Sequence, residues 1–579
     1  MPTSSAPLHY CVQLHDLHAH LYRVTLTIAQ PSVKQRVSLP VWIPGSYLVR
    51  EFAKNLHNLQ AHQSGVAVKV QQLSKHAWEL GCQVGEALVL QYEVSAYDTS
   101  VRTAWLDQRR GFFNGTSLLL RVHGQEAQGH HLQVRAPAQM PQWKLATGMT
   151  AIAVDGQGFG TYAASNYDEL VDCPVEMGDF WSGSFTACGV PHRFVVAGAP
   201  ASFDGERLLR DTQKICEAEI NFWGVTPHAN YVFMLNVTHD GYGGLEHCNS
   251  TALICSRPDL PRIGVDKASD GYVQLLGLIS HEYFHTWNVK RLRPAELAPC
   301  NYDQENYTQL LWFFEGFTSY YDDLLLRRAG VIDNAVYLKL ITKTLNHVQQ
   351  TPGRKVQSVA EASFDAWVKY YRQDENTANA TVSYYTKGAL VAMCLDLKLR
   401  QEGRTTLDAV MRGLWARCQG AAMTEADVLA VLQEQSGRSW EAEIQAWVHG
   451  KEDLPLPELL SAHGVQAAAA QALGLRVQES HSIIIKQVMR GSLAEQAGMM
   501  AGDEWYGIEL PGQPQAWRLS KLEELDLYVA RGTASINALI ARDRQLLRLT
   551  LPLSNAQTPV SNYALTVTDA AVLDRWLSL

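Results

Sequence analysis

The chain has 579 residues, 46% apolar and 18% charged, and its 49 Lys and Arg against 58 Asp and Glu give a net charge of -9. At ~100 to 200 residues per domain, that length predicts about three to five domains with real cores, and the interspersed charges argue against a nucleic-acid surface or a polybasic lipid anchor. No apolar run reaches the ~18 residues of a membrane-spanning helix, and the opening Met-Pro-Thr-Ser-Ser-Ala-Pro stretch carries no basic or apolar leader, so a cytoplasmic protein without membrane or nucleic-acid partners is expected. Ten cysteines, scattered from Cys11 to Cys418 with no CxxC pair, predict reduced and mostly buried thiols rather than a disulfide framework.

Residues 1–180 read as strands. Val24, Leu26 and Ile28 alternate with Arg23, Thr25 and Thr27, and Leu88, Leu90, Tyr92 and Val94 alternate with their neighbours in the same way. Period two means half-buried sheet, and the Gly and Pro punctuation, as in Trp42-Ile43-Pro44-Gly45-Ser46, suits an antiparallel β-sandwich. Residues 181–455 begin with short strands, including 231–237, and turn helical from about Asp270. Helices are predicted over 272–289, 307–329 and 381–401, then behind capping pairs Thr405/Asp408 and Thr424/Asp427 to about His449. Strands followed by helices predict an α+β domain. Residues 450–463 read as a polar, proline-bearing hinge, 464–555 as a further domain in which 467–470 is a short helical patch, and 556–579 as an unassigned tail.

The motif that carries chemistry is His281-Glu282-Tyr283-Phe284-His285, inside an apolar helical stretch with Leu275, Leu276, Leu278 and Ile279. Histidines at i and i+4 stack on one helix face and can offer two imidazole nitrogens to a single Zn²⁺. Glu282, a step around the helix, can take a proton from water at the metal. Zinc needs a third protein ligand, and Glu315, in Leu311-Trp312-Phe313-Phe314-Glu315-Gly316-Phe317, supplies it: a carboxylate in an aromatic surround is expensive to bury without a cation. Lys290, Arg291 and Arg293 follow the motif as a basic run with no catalytic role, and His239 and His247 are read as structural.

The motif with Thr286-Trp287-Asn288-Val289-Lys290-Arg291 after it, and Trp312-Phe313-Phe314-Glu315-Gly316-Phe317-Thr318-Ser319-Tyr320-Tyr321 further on, resembles the M61 glycyl aminopeptidase family. The likeness extends to Val41-Trp42-Ile43-Pro44-Gly45-Ser46-Tyr47, to Arg50-Glu51-Phe52, to Gly243-Gly244-Leu245-Glu246-His247 and to Ser383-Tyr384-Tyr385-Thr386-Lys387-Gly388. Gly491-Ser492-Leu493-Ala494-Glu495-Gln496-Ala497-Gly498 and Ala501-Gly502-Asp503, behind the strand-like run 482–488, resemble the bacterial PDZ domain. The resemblance implies a multidomain α+β protein: an N-terminal antiparallel β-sandwich, a thermolysin-like α+β catalytic domain over 181–455 and a C-terminal PDZ domain over 464–555. It also implies kinship with the M1 aminopeptidases, although more residues separate His285 from Glu315 than in the M1 pattern. By that kinship Tyr385 stabilises the oxyanion, with Tyr384 as core, and Glu246 binds the substrate's α-amine, where Gly243 and Gly244 let the strand come close.

The expected function is therefore a zinc aminopeptidase acting on peptides with a free N-terminus, with the family pointing to N-terminal Gly or Ala. A zinc endopeptidase with an open cleft, in which Glu246 is idle, and a PDZ-centred adaptor with a silent metal site are the alternatives. The PDZ-like segment either binds a peptide or protein ligand or covers the cleft.

Overall fold

A computed structural model describes residues 7–554 and 562–578. Residues 1–6, on which the expectation of no leader rests, and the tail positions 556–561 and 579 therefore lie outside the described residues. The chain falls into two compact units, one made of Met1–Asn306, Arg328–Ile332 and Cys418–Met423, the other of Tyr307–Arg327, Asp333–Arg417 and Thr424–Leu579. Among the described residues, no helix is long and apolar enough to cross a membrane.

In the first unit, the period-two segments form strands. Strand Leu21–Ile28 buries Tyr22, Val24, Leu26 and Ile28 completely while Arg23, Thr25 and Thr27 face outward. At roughly 1.5 to 3 kcal/mol per large apolar side chain, one such row fixes the register, because a one-residue slip would turn the whole row to solvent. It pairs with Leu8–Asp16 on one side and Leu88–Ser95 on the other, in a sheet with eight described strands. The sheet departs from the purely antiparallel expectation at one place: Leu8–Asp16 runs parallel to His130–Val134. A parallel neighbour needs a long crossover; here the chain leaves Leu8–Asp16 and returns after more than a hundred residues, a pairing no local pattern announces.

The same unit then builds a smaller sheet in the order Trp181–Ala187, Val190–Ala197, Tyr231–Thr238, Ser250–Ser256, Gly243–Glu246. The central strand Tyr231–Thr238 is parallel to both neighbours and buried along nearly its whole length, as parallel strands usually are. Gly243–Glu246 is antiparallel to Ser250–Ser256 and lies at the edge. Helix Gly205–Trp223 is capped by Asp204, whose side chain accepts from Arg207 N, and stops at Gly224 in the left-handed region. Helix Asp270–Phe284 starts at Ser269, whose hydroxyl accepts from Tyr272 N at 3.1 Å. It ends at Phe284 rather than running to 289, because the chain turns there: Trp287 N and Asn288 N both donate to Phe284 O.

In the second unit, helices Leu311–Arg328 and Tyr384–Glu402 lie within the two predicted spans to a few residues. Helix Glu425–Ser436 opens with the expected Thr424/Asp427 capping box. The Thr405/Asp408 pair does not cap its helix; Thr406 Oγ1 accepts from Ala409 N, and Asp408 accepts from the Tyr321 hydroxyl at 2.9 Å. Residues 450–463 are not a bare hinge, since helix Leu456–Ala462 buries Leu456, Leu459 and Leu460. Nor is 467–470 helical. Strand Val465–Ala470 pairs antiparallel with Asn562–Val567 of the tail, and the sheet partner overrides alanine's helix propensity. Between them, Leu475–Glu479, Ile483–Val488, Glu504–Glu509, Ser535–Arg542 and Gln545–Pro552 form an antiparallel sheet over a core of Ile483, Ile485, Trp505, Ile540 and Leu551.

Candidate active site

The two motif histidines close the C-terminal end of helix Asp270–Phe284. Their Nε2 atoms lie 3.1 Å apart and their rings stand perpendicular, with centroids 4.6 Å apart. His285, only 2% exposed, has Nδ1 at 2.8 Å from the carbonyl oxygen of Asn288. A carbonyl can only accept, so Nδ1 carries the proton and Nε2 presents a lone pair. A backbone acceptor behind one ring nitrogen with the other directed at a shared point is the arrangement of a metal-binding histidine, and this donor set fits Zn²⁺.

Glu282 is 5% exposed and lies against the edge strand: a Cβ at Gly244 would collide with its Oε1. Glycine at 244 is what lets the carboxylate come this close, so the room predicted for substrate is in part occupied by Glu282. Along a strand, residues two apart share a face, which puts Glu246 beside Glu282 as well. Glu246, Glu282 and His285 each present a ligand atom within 4.8 Å of the others. Both carboxylates are buried, and Glu246 Oε1 and Glu282 Oε2 make no hydrogen bond among the described residues. Burial pushes the Glu282 carboxyl up to about 7, against the pull of His281 and His285 and with the help of Glu246. Two buried carboxylates this close are costly without positive charge.

The second unit carries the other two predicted residues. Glu315 is 2% exposed on helix Leu311–Arg328, between the fully buried Trp312, Phe313, Phe314 and Phe317. Tyr385 sits in the first turn of helix Tyr384–Glu402, where Ser383 caps by accepting from Thr386 N. Its ring stacks on Tyr370 at 5.4 Å. Burial, and then the nearby Glu315 carboxylate, hold the Tyr385 phenol well above its usual range, so it is a proton donor at neutral pH. Tyr384 is fully buried, while Tyr385 is half-buried.

The family pattern of the M61 peptidase N-terminal domain matches residues 9–179, and that of the M61 glycyl aminopeptidase matches 274–391. A crystal structure of an aminopeptidase N family protein from Idiomarina loihiensis is 36% identical, with 99% of this chain and 100% of that one covered and a TM-score of 0.92. The chain belongs to the M61 peptidase family. It is accordingly a metallopeptidase. A mutant of the M1 zinc metallopeptidase from Deinococcus radiodurans is 16% identical over 78% of this chain and 95% of its own, at a TM-score of 0.50. A two-domain M1 zinc metallopeptidase mutant bound to L-arginine gives 16%, 78%, 94% and 0.50 in the same measures. At that identity the likeness is one of fold. No curated protein matches.

Around Glu246 this M61 chain holds features its sequence did not announce. A cavity of about 560 Å³ is lined by Pro44, Gly45, Asp172, Glu246, His247 and Lys290, among others. Gly45 has φ +90°, and a Cβ there would run into the Glu246 carboxylate, so the Trp42-Ile43-Pro44-Gly45 turn forms a wall directly against it. Asp172 binds Lys290 Nζ at 2.6 Å, accepts from Cys248 N at 2.8 Å and faces His247 Nδ1 at 3.2 Å. Burial opposes the charge on Asp172, but Lys290 and His247 outweigh it and hold its carboxyl far below the usual range. The basic run thus neutralises a half-buried carboxylate through Lys290, while Arg291 donates to the carbonyls of Cys248, Thr286 and Pro227. Val289, between them, is a β-branched residue at φ +143°, a strained conformation that the surrounding packing has to impose. Asp172 comes from the N-terminal sheet region, far away in sequence, with no motif to mark it.

Proposed function

We propose that the protein is a zinc aminopeptidase that removes small N-terminal residues such as Gly or Ala from peptides in the cytoplasm. His281, His285 and Glu315 would hold the metal, which when bound supplies a Lewis acid that polarises the scissile carbonyl and acidifies water. Glu282 takes the proton from the attacking water and passes it to the departing amine. The Tyr385 phenol donates to the oxyanion as it forms. Glu246 receives the α-ammonium, and Gly243 and Gly244 keep the edge strand slim enough for substrate to lie along it.

The observation that carries this reading is the pair of buried carboxylates with unpartnered oxygens, Glu246 and Glu282, on one face of the edge strand. One is in reach of the water-activating role beside the histidines; the other calls for a cation that a peptide's N-terminus provides. The wall at Gly45 supports a small first residue, because it stands against the carboxylate that fixes the amine. The antiparallel sheet at 475–552, with its short helices Leu493–Gln496 and Leu525–Tyr528, supports a PDZ-like domain.

Rates on Gly-, Ala-, Leu- and acetyl-Ala-anilides test the reading. Free-amine Gly and Ala substrates should be cleaved and acetyl-Ala very poorly, and Glu246→Ala should weaken the free-amine substrates by a few kcal/mol, the rough size of a lost charge-assisted contact. Equal rates on free and acetylated substrates would leave an endopeptidase in its place.

A further inference from the structure

Arg102, from the N-terminal region of the first unit, reaches the edge strand. Its Nη2 donates to the carbonyl oxygen of Gly244 at 2.9 Å. Its Nη1 would lie 3.6 Å from a Cβ at Gly243, and it is close enough to Glu282 to pull that carboxyl down. Nε is buried and makes no hydrogen bond, and among the described residues no carboxylate lies within ion-pair distance of the guanidinium. The segment that carries it is held firmly: Asn114 Nδ2 donates to the carbonyls of Val101 and Thr103, at 2.7 and 3.3 Å. A guanidinium has five N–H donors, and one of them is spent on Gly244.

The order along the edge strand gives this residue a place. Glu246 stands at one end, Gly244 with Glu282 against it comes next, and Arg102 lies on the Gly243 side. A peptide running antiparallel along that edge, with its amine at Glu246 and its first carbonyl beside Glu282, brings its second residue towards Arg102. Two residues of strand span about 7 Å, which is also about the length of an extended dipeptide from amine to carboxylate. The Glu246 carboxylate at one end and a guanidinium without a carboxylate in ion-pair distance at the other match the two charges of a dipeptide zwitterion, and arginine's planar fork suits a carboxylate.

We infer that Arg102 is a specificity-determining residue that binds the C-terminal carboxylate of the substrate one residue beyond the scissile bond, making free dipeptides the preferred substrates. This rests on the aminopeptidase reading above and deepens it. A third residue would carry the carboxylate about 3.3 Å further along, past the guanidinium.

The test compares Ala-Ala, Ala-Ala-amide and Ala-Ala-Ala on the wild-type protein, Arg102→Gln and Arg102→Lys. The wild type should favour Ala-Ala over its amide by at least about tenfold in kcat/KM, mainly through KM, as expected for a charge-assisted contact. In Arg102→Gln that ratio should fall to near one, and in Arg102→Lys, which keeps the charge but not the fork, to an intermediate value. A merely structural role at the Gly244 carbonyl would slow all three substrates and leave the ratio where it was. A wild-type ratio near one, or a ratio that survives in Arg102→Gln, overturns the inference, and the wild-type ratio decides even if a variant fails to fold. The acetyl-Ala comparison has no free carboxylate, so it reads the amine requirement separately and shows which of the two readings has failed.

Discussion

Replacing Glu282 by Gln removes a proton acceptor while keeping the side chain's volume, so it separates proton transfer from metal binding. Turnover should fall by on the order of 10² to 10⁴ while elemental analysis still finds zinc at the wild-type level. Loss of the metal as well would make Glu282 part of the holding set instead. Tyr385→Phe removes only the phenolic donor, and kcat should drop by on the order of 10² to 10³ with KM little changed. Tyr384→Phe is the control, since that ring is fully buried beside Tyr370 and Tyr385. If the Tyr384 change is the crippling one, the donor is the earlier tyrosine. At Gly244 an alanine methyl would meet the Glu282 carboxylate. Gly244→Ala should therefore impair activity more than stability: overpacking costs roughly 1 to 3 kcal/mol, read by chemical denaturation, whereas the displaced Glu282 should abolish most turnover.

The joint between strand Val190–Ala197 and helix Asp270–Phe284 has its own titration. His192 Nε2 lies 2.9 Å from the Tyr283 hydroxyl, and that hydroxyl lies 3.2 Å from His228 Nε2. Burial lowers His192 to about 4; burial, with His192 and Arg291 adding to it, lowers His228 to about 3. In the unfolded chain both return to about 6.5. Between pH 6.5 and 4 the unfolded state thus binds more protons than the folded one, so stability falls as the pH falls. The slope approaches about 1.4 kcal/mol per pH unit for each histidine. Denaturant midpoints across that window should show the decline, and His192→Gln should flatten it; a profile unchanged by that substitution would mean that other groups dominate.

For the molecule as a whole, the C-terminal segment is an integral part of the second unit. Helix Ala570–Leu577 buries Trp576 to 1% exposure, and its indole donates to the Tyr320 hydroxyl at 3.2 Å, which donates in turn to Asp396 at 2.8 Å. Asn346 also grips the backbone of Tyr563 through both its N–H and its carbonyl. Trp576→Ala should cost about 3 to 5 kcal/mol, as for a large core truncation, and lower the thermal midpoint by several degrees. An unchanged midpoint would mean that the tail does not support this unit.

The residue types of the candidate site were legible in the sequence because they are local. The i, i+4 histidines and Glu282 need only helical period, Glu315 declares itself as a charge among aromatics, and the alternating strands of the first region announce which side chains go inside. Elements shaped by partners distant in the chain were not. The stretch 467–470 reads as helix until Asn562–Val567 pairs with it, the parallel pairing of Leu8–Asp16 with His130–Val134 depends on a long crossover, and the Asp408 side chain answers to Tyr321 rather than to its own helix end. The same holds around the site. Gly45 against Glu246, Asp172 beneath Lys290 and Arg102 on the Gly244 carbonyl each join segments more than a hundred residues apart. Periodicity and spacing encode which face a side chain takes within its own element; which charge it meets across a cleft is settled by packing, because only the folded chain brings those segments within hydrogen-bonding distance and excludes the water that would otherwise screen them.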